Sequence, residues 1–161
     1  MSVSSITEMR QYLTFKLADE IFGVDVAKVR EILELTTITR MPQMPEYVCG
    51  VINLRGSVVP VIDLKLKLGM AAMARTVNTC IVLVEVRRDE ETIVLGALAD
   101  SVQEVYELEP ENIEPAPNIG SGINTDFIQG MGKHIQQFMM ILDIDRLFAD
   151  DVQGVATEEA A

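Results

Sequence analysis

Apolar and polar residues alternate along much of this chain, and that alternation predicts strands first. Tyr12, Leu13, Phe15 and Leu17 form an apolar run with Thr14 and Lys16 as its polar counterpoint. Ala18-Asp19-Glu20 turns the run and Ile21, Phe22, Val24 and Val26 return, which makes a hairpin. From Asp25 the period changes. Val26, Val29, Ile32 and Leu33 fall on one face of a short helix, with Lys28, Arg30 and Glu31 opposite. Asp25 could cap that helix; an irregular turn is the alternative. Thr36-Thr37-Ile38-Thr39 is β-branched and predicts a brief strand. Pro42 and Pro45 then exclude a regular ladder between Arg40 and Glu46.

The strongest local signal is Cys49 to Leu68, CGVINLRGSVVPVIDLKLKL. An apolar run enters the bend Asn53-Leu54-Arg55-Gly56, and a second run leaves it, carries Pro60 and closes on Asp63. The bend predicts a tight reversal with a cation at its tip. Pro60, which cannot donate to a ladder, calls for an edge or a bulge. Leu64 to Met70 fits a helical turn ending at Gly69, and Met70 to Val77 reads as a connector. Asn78–Val86, Thr92–Ala99 and Ser101–Leu108 predict three strands, with a charged turn at Arg87–Glu91. Pro110 to Gly122 is loop-rich, Ile123–Met131 approaches a strand, Gln137–Asp143 is the last clear one, and Ile144–Phe148 can form a helical turn.

The order of these signals occurs twice. Gly23, Val29, Glu31 and Ile32 fall on Gly96, Val102, Glu104 and Val105 at a shift of 73 residues. Gly50 and Asp63 fall on Gly130 and Asp143 at a shift of 80, which places seven extra residues in the Pro110–Gly122 region. In the second copy the bend itself reads Gly130-Met-Gly-Lys-His and looks lost. A unit of about 70 residues with about five short strands has the size of a small closed barrel, which hides its own edges. The fold expected is therefore all-β: two tandem five-stranded barrels with a few short helical turns, and a binding groove between them. Residues 1–10 read as a flexible leader and 151–161 as a disordered acidic tail. Residues 11–150 form the domain, its first barrel mainly 11–77 and its second mainly 78–150, with strands free to cross over.

Composition narrows the function. The chain has 161 residues, 48% of them hydrophobic, so a real core is available, yet aromatics are only 5% and Trp is absent. Packing must rest on Val, Ile, Leu and nine Met residues. A net charge of −12 leaves no cationic stripe to neutralise nucleic-acid phosphates or to dock on an anionic membrane, and favours basic protein partners. Cys49 and Cys80 lie in apolar runs and read as buried reduced thiols. No Cys or His cluster has metal-ligand spacing, no signal peptide or spanning segment opens the chain, and a cytoplasmic protein without cofactor or metal is expected.

Candidate chemistry is thin. Asp63 and Asp143 occupy equivalent places, which argues for capping the helical turn behind each strand rather than for acid–base work in one cleft. His134, the sole His, lies in a polar stretch and reads as a surface residue. Gly120-Ser-Gly122 and Gly130-Met-Gly132 lack the surroundings of a phosphate loop. Arg55 reads either as a surface cation paired with a neighbour or as an interface residue making bidentate bonds to a partner. Val29, Ile32, Val102 and Val105 read either as core or as the lining of a groove that receives a partner helix.

GVINLRGSVVPVIDL, preceded by MPQMPEYVC, resembles the CheW family of bacterial chemotaxis coupling proteins, as do FGVDVAKVREIL, NIEPAPNI, FIQGMG and MMILDIDRLF. The resemblance runs from about Gln11 to Phe148 and implies two SH3-like barrels and no catalysis. It implies an adaptor between chemoreceptor cytoplasmic tips and the regulatory domain of the histidine kinase CheA, recruited to membrane-associated receptor arrays. Carried over residue by residue, it implies a receptor-binding groove with Val29, Glu31, Ile32, Val102 and Val105, and a kinase-coupling bend with Gly50, Asn53, Leu54, Arg55 and Gly56. Cys49 departs from the family, which often has a polar residue there. The rival readings are a small hydrolase or ligand-binding barrel pair using Asp63, Glu104 and Asp143, and a paralogue serving a non-chemotactic pathway.

Overall fold

A computed structural model describes residues 9–71, 75–115 and 125–149. Most of the expected leader, the expected acidic tail and Gly120-Ser-Gly122 lie outside these residues. Eleven strands run in chain order: β1 Arg10–Leu17, β2 Glu20–Asp25, β3 Val29–Glu34, β4 Val48–Leu54, β5 Ser57–Asp63, β6 Cys80–Arg88, β7 Glu91–Ala99, β8 Ser101–Leu108, β9 Ile113–Glu114, β10 Ile128–His134 and β11 Gln137–Leu142. Two short helices, α1 Leu64–Lys67 and α2 Ile144–Leu147, follow β5 and β11. Among the described residues no helix is long and apolar enough to cross a membrane.

The strands form two sheets, ordered β3-β6-β7-β5-β4 and β8-β1-β2-β11-β10-β9. Both belong to the expected all-β, two-barrel architecture, although the second sheet gains a sixth, two-residue strand. The sheets do not divide the chain near residue 77. The opening hairpin β1–β2 joins the C-terminal strands, and β6–β7 joins the N-terminal ones. Two parallel pairings close the exchange: Gly23 lies opposite Ile141, and Gly96 opposite Val61. These are the same pair under the two repeat shifts of 73 and 80 residues. Each glycine lets another strand's side chains approach; a Cβ on Gly96 would meet Ile81 Cγ2 at 2.8 Å and Val61 Cγ2 at 3.3 Å.

Alternation along the strands feeds three apolar clusters. In β6, Ile81 and Leu83 face the interior of the first sheet with Ile52, Val59, Val61 and Leu98. Val82, Val84 and Val86 on the opposite side enter a larger layer with Leu13, Phe15, Phe22 and Val24 of the other sheet and Leu64, Leu147 and Phe148 of the helical turns. Tyr12, Leu108, Ile113, Met139 and Ile141 fill the second interior. Strands buried on both faces read as continuous apolar runs, which explains IVLV at 81–84 and MMIL at 139–142. Phe15 and Phe22 stack at 6.1 Å in the shared layer.

The reversal after Asp25 differs from the helix expected. Asp25 does cap, accepting from Ala27 N at 2.9 Å, but only a 3₁₀ turn at Val26–Lys28 follows, and Val29–Glu34 is a strand. Within six residues a helical and a strand period share most of their apolar positions, and pairing with β6 decides between them. The strand expected at Thr36–Thr39 reduces to one bridge, Thr39 opposite Val51, because the prolines that follow end the pairing. Pro60 lies in an inner strand, one residue before the β5–β7 ladder begins at Val61, so its missing N–H breaks no parallel bond. The bend of the second copy is kept. β10 and β11 repeat the β4–β5 register, including the shift before Gly50 and Gly130, and Ile135 takes the positive φ of Arg55, 58° against 50°. Sequence comparison misses it because the backbone turns without repeating Asn-Leu-Arg-Gly.

Ion pairs clasp both crossovers between the sheets. Lys65 Nζ, almost fully buried, reaches Asp100 Oδ1 at 2.7 Å, and Asp100 Oδ2 accepts from Ala18 N at 2.6 Å. On the other crossover Lys28 Nζ reaches Asp145 Oδ2 at 2.6 Å, and Asp145 Oδ1 accepts from Arg87 N at 2.8 Å. Lys65 and Asp145 are equivalent under the shift of 80, so the charge is reversed while the clasp is kept.

The shared layer predicts one cooperative unit. Phe22 is 0% exposed within it, so Phe22→Ala should cost about 3–5 kcal/mol. Urea unfolding followed by circular dichroism should show one transition for both sheets; two separate transitions would contradict a common core.

Candidate partner-binding surface

β3 and β8 are equivalent strands, and each is the outer strand of its sheet. Pairing on one side only leaves the other side available, and the repeat places matched residues along both. Val29 and Val102 are half-buried against the shared layer. Ile32 and Val105 point outward, 45% and 49% exposed. The two readings of these four valines and isoleucines thus divide by pair: one pair supports the core and the other faces solvent. The sheets approach one another here. Cys80, opposite Glu34 of β3, lies beside the Val102 backbone of β8. Cys80 and Cys49 are free, as expected, but half-buried rather than buried. Burial nonetheless raises both thiols above their ordinary pKa, which keeps them in the protonated, unreactive form.

The bend joins the same surface. Arg55 and Gly56 both take positive φ, 50° and 93°, the backbone of a two-residue hairpin turn. Asn53 Oδ1 accepts from Gly56 N at 2.8 Å and closes the loop from within. Leu54 is half-buried on the interior of the first sheet. Arg55 is held rather than free: its Nη2 lies 2.8 Å from Glu31 Oε1, with the side chains 69% and 34% exposed. That hydrogen bond, with a smaller charge effect, holds the Glu31 carboxyl below the usual carboxylate range and raises Arg55 above its own. One ion pair therefore links the bend to the edge strand that carries Ile32.

Gly50 does not join this surface. It is buried at φ 146°, and a Cβ there would stand 2.1 Å from the Thr39 carbonyl oxygen. Its position beside the bend reflects backbone packing against the Thr39–Val51 bridge.

A cleft of ≈ 720 Å³ opens beside the bend, lined by Arg30, Leu54, Arg55, Val58, Glu91 and Ile93 among others. Val58 is an exposed apolar residue, and the continuous run SVVPV gives no sign of which face it takes. The second hairpin shows the same arrangement: Ile135 and Phe138, equivalent to Arg55 and Val58 under the shift of 80, are exposed. His134 is not a free surface residue but is half-buried and stacked on Tyr106.

Acid–base chemistry finds no support. Asp63 Oδ1 accepts from Lys65 N at 3.0 Å and Leu66 N at 3.4 Å, and Asp143 Oδ1 accepts from Arg146 N at 3.2 Å. Each caps its own helical turn at the end of a strand in a different sheet, and Glu104 is exposed on β8. Among the described residues no group of three His, Cys, Asp or Glu is placed to hold a metal ion.

Comparison with known proteins accounts for this arrangement. Residues 11–152 match the CheW-like domain. The chain is 36% identical over 141 residues to a probable chemotaxis protein CheW of Rhizobium etli, covering 88% of each chain. It is 31% identical over 151 residues to the chemotaxis protein CheW of Klebsiella aerogenes, covering 94% of this chain and 89% of that one. Its fold matches the crystal structure of the scaffolding protein TtCheW of Thermoanaerobacter tengcongensis, with a TM-score of 0.77 and 33% identity over 86% of this chain and 92% of that one. These names are those of chemotaxis and scaffolding proteins, not of enzymes. The chain belongs to the CheW-like family of chemotaxis scaffold proteins.

Proposed function

We propose that this scaffold couples the cytoplasmic tips of transmembrane chemoreceptors to the regulatory domain of the histidine kinase CheA, at receptor arrays on the cytoplasmic face of the membrane. The observation that carries the reading is the matched placement of Ile32 and Val105 on edge strands of two sheets that meet at Cys80 and Val102. A receptor tip is a bundle of amphipathic helices, and an apolar helix face fits a groove that offers isolated outward aliphatics between polar neighbours. In this reading Val29 and Val102, which pack on the shared layer, underlie the receptor contact, and Glu31, paired with Arg55, bounds it. The bend Asn53-Leu54-Arg55-Gly56 and its cleft are the face assigned to the kinase, with the Glu31–Arg55 pair coupling one face to the other.

Titration with a receptor signalling-tip fragment tests the first half. Ile32→Glu and Val105→Glu place a charge on residues already in water, so folding should survive while affinity falls about tenfold or more. Absence of binding by the unmodified chain at high micromolar concentration would sink the reading.

Arg55→Ala tests the coupling. The chain should keep its melting temperature, because an exposed pair contributes little to stability, and should lose receptor control of the kinase in a reconstituted assay. Loss of folding would instead make Arg55 structural. Exchanging the charges, Glu31→Arg with Arg55→Glu, should recover part of the control.

The pH dependence has a definite sign. The folded pKa of Glu31 is lowered, so the pair is fully present above the ordinary carboxylate value and is lost only as pH falls through the lowered one. Kinase coupling through this contact should therefore be flat between about pH 6 and pH 8. A strong decline there, in a chain otherwise folded, would assign the coupling to a different group.

A further inference from the structure

The two units hold their edge strands with different chemistry at equivalent positions. In the first, the β4–β5 hairpin is tied to β3 by the Glu31–Arg55 ion pair and by Leu33 and Leu54, which pack on the same apolar cluster. Under the shifts of 73 and 80 residues, Leu33 falls on Tyr106 and Leu54 on His134, while Arg55 falls on Ile135. Ile135 cannot form an ion pair, so the second hairpin lacks that tie. A ring stack stands in its place: the Tyr106 and His134 rings lie 3.9 Å apart at their centroids, 14° from parallel.

Several observations give this stack leverage. Tyr106 belongs to β8, next to the outward Val105, and packs on the interior of the second sheet. Its hydroxyl lies beside the Glu104 side chain, which with burial raises the phenol above its ordinary pKa. His134 is the last residue of β10, just before the turn at Ile135. β8 has a ladder with β1 alone, and the register of that ladder shifts between Leu13 and Phe15. Thr14 bridges that shift, its hydroxyl donating to Glu104 O at 2.6 Å and accepting from Glu104 N at 3.0 Å, so β1 holds one side of β8 and side-chain contacts decide only how its unpaired side lies.

We infer that Tyr106 and His134 are the positioning residues of the second unit: their stack ties the β10–β11 hairpin to β8 and sets the outward presentation of Val105. This rests on the reading of Val105 as part of the receptor-facing surface. The two halves of that surface then respond differently to salt. The Glu31–Arg55 tie is an exposed ion pair and is screened, whereas the ring stack is carried mainly by apolar contact and is not.

The test uses the full chain, isotopically labelled, as wild type, His134→Ala, His134→Phe and Tyr106→Ala. Amide exchange by nuclear magnetic resonance reads the strands, and titration with a receptor signalling-tip fragment reads the surface. His134→Ala and Tyr106→Ala should speed exchange of the β8 amides bonded to β1 about tenfold, with β3 unchanged, and weaken tip binding about fivefold. His134→Phe keeps a flat ring and should restore both. Unchanged β8 exchange in His134→Ala, equal acceleration of β3 and β8, or failure of His134→Phe to rescue would each overturn the inference. If the wild type does not bind the tip fragment, the functional reading falls while the exchange measurements still decide whether the stack holds β8.

Discussion

Everything in this molecule depends on the apolar layer shared by the two sheets. Each sheet presents a row of apolar side chains on its outer face that only the other sheet covers: Val82, Val84 and Val86 from one side, Leu13, Phe15 and Phe22 from the other. Removing that face from water supplies a driving force that scales with area and has no directional demand, so it joins the sheets without fixing their angle. Direction comes from elsewhere. The exchange of the β1–β2 and β6–β7 hairpins threads the chain between sheets, and Lys65–Asp100 and Lys28–Asp145 pin the two crossovers. The reversal of charge between these clasps shows that what is kept is a directional link at that place, in either polarity.

The surface proposed for partners follows from this core. Edge strands are a liability in an all-β protein, and here the two equivalent edges, β3 and β8, run along the rim of the shared layer. Their inward residues, Val29 and Val102, are held by the layer, which leaves Ile32 and Val105 facing water by the alternation of the strand. Exposed aliphatics would be a defect on a closed barrel. At the meeting of two barrels they are the paired surface proposed for the receptor. Each hairpin beside an edge is then tied back to it, by an ion pair in one unit and by stacked rings in the other.

Much of this was legible in the residues. Period-two alternation located the hairpins, and β8 emerged with the bounds expected for it, Ser101–Leu108. The repeat shifts carried the pairing register across both halves, and the two aspartates at equivalent places indicated caps. The failures are also instructive. The apolar positions of Val26–Leu33 suit a helix equally well, and only the partner β6 makes a strand of Val29–Glu34. Gly130-Met-Gly-Lys-His looked like a lost bend because a turn's residues can change while its backbone does not, as Ile135 at φ 58° shows. Gly50 was placed with the bend by the family resemblance, and nothing in the residue pattern reveals the Thr39 carbonyl pressed against it.

The sequence by itself determined the class of fold, the duplication and the family, because each of these is written in local period, spacing and motif. It could not determine which strands share a sheet, that Arg55 is held by Glu31, that the sheets meet where Cys80 faces Val102, or that Tyr106 stacks on His134. Those are contacts between residues at least 22 positions apart in the chain, and pattern along a chain carries no distance across it. Only when the shared layer fixes the two sheets against one another do these pairs come within reach, and with them the surface proposed for partners.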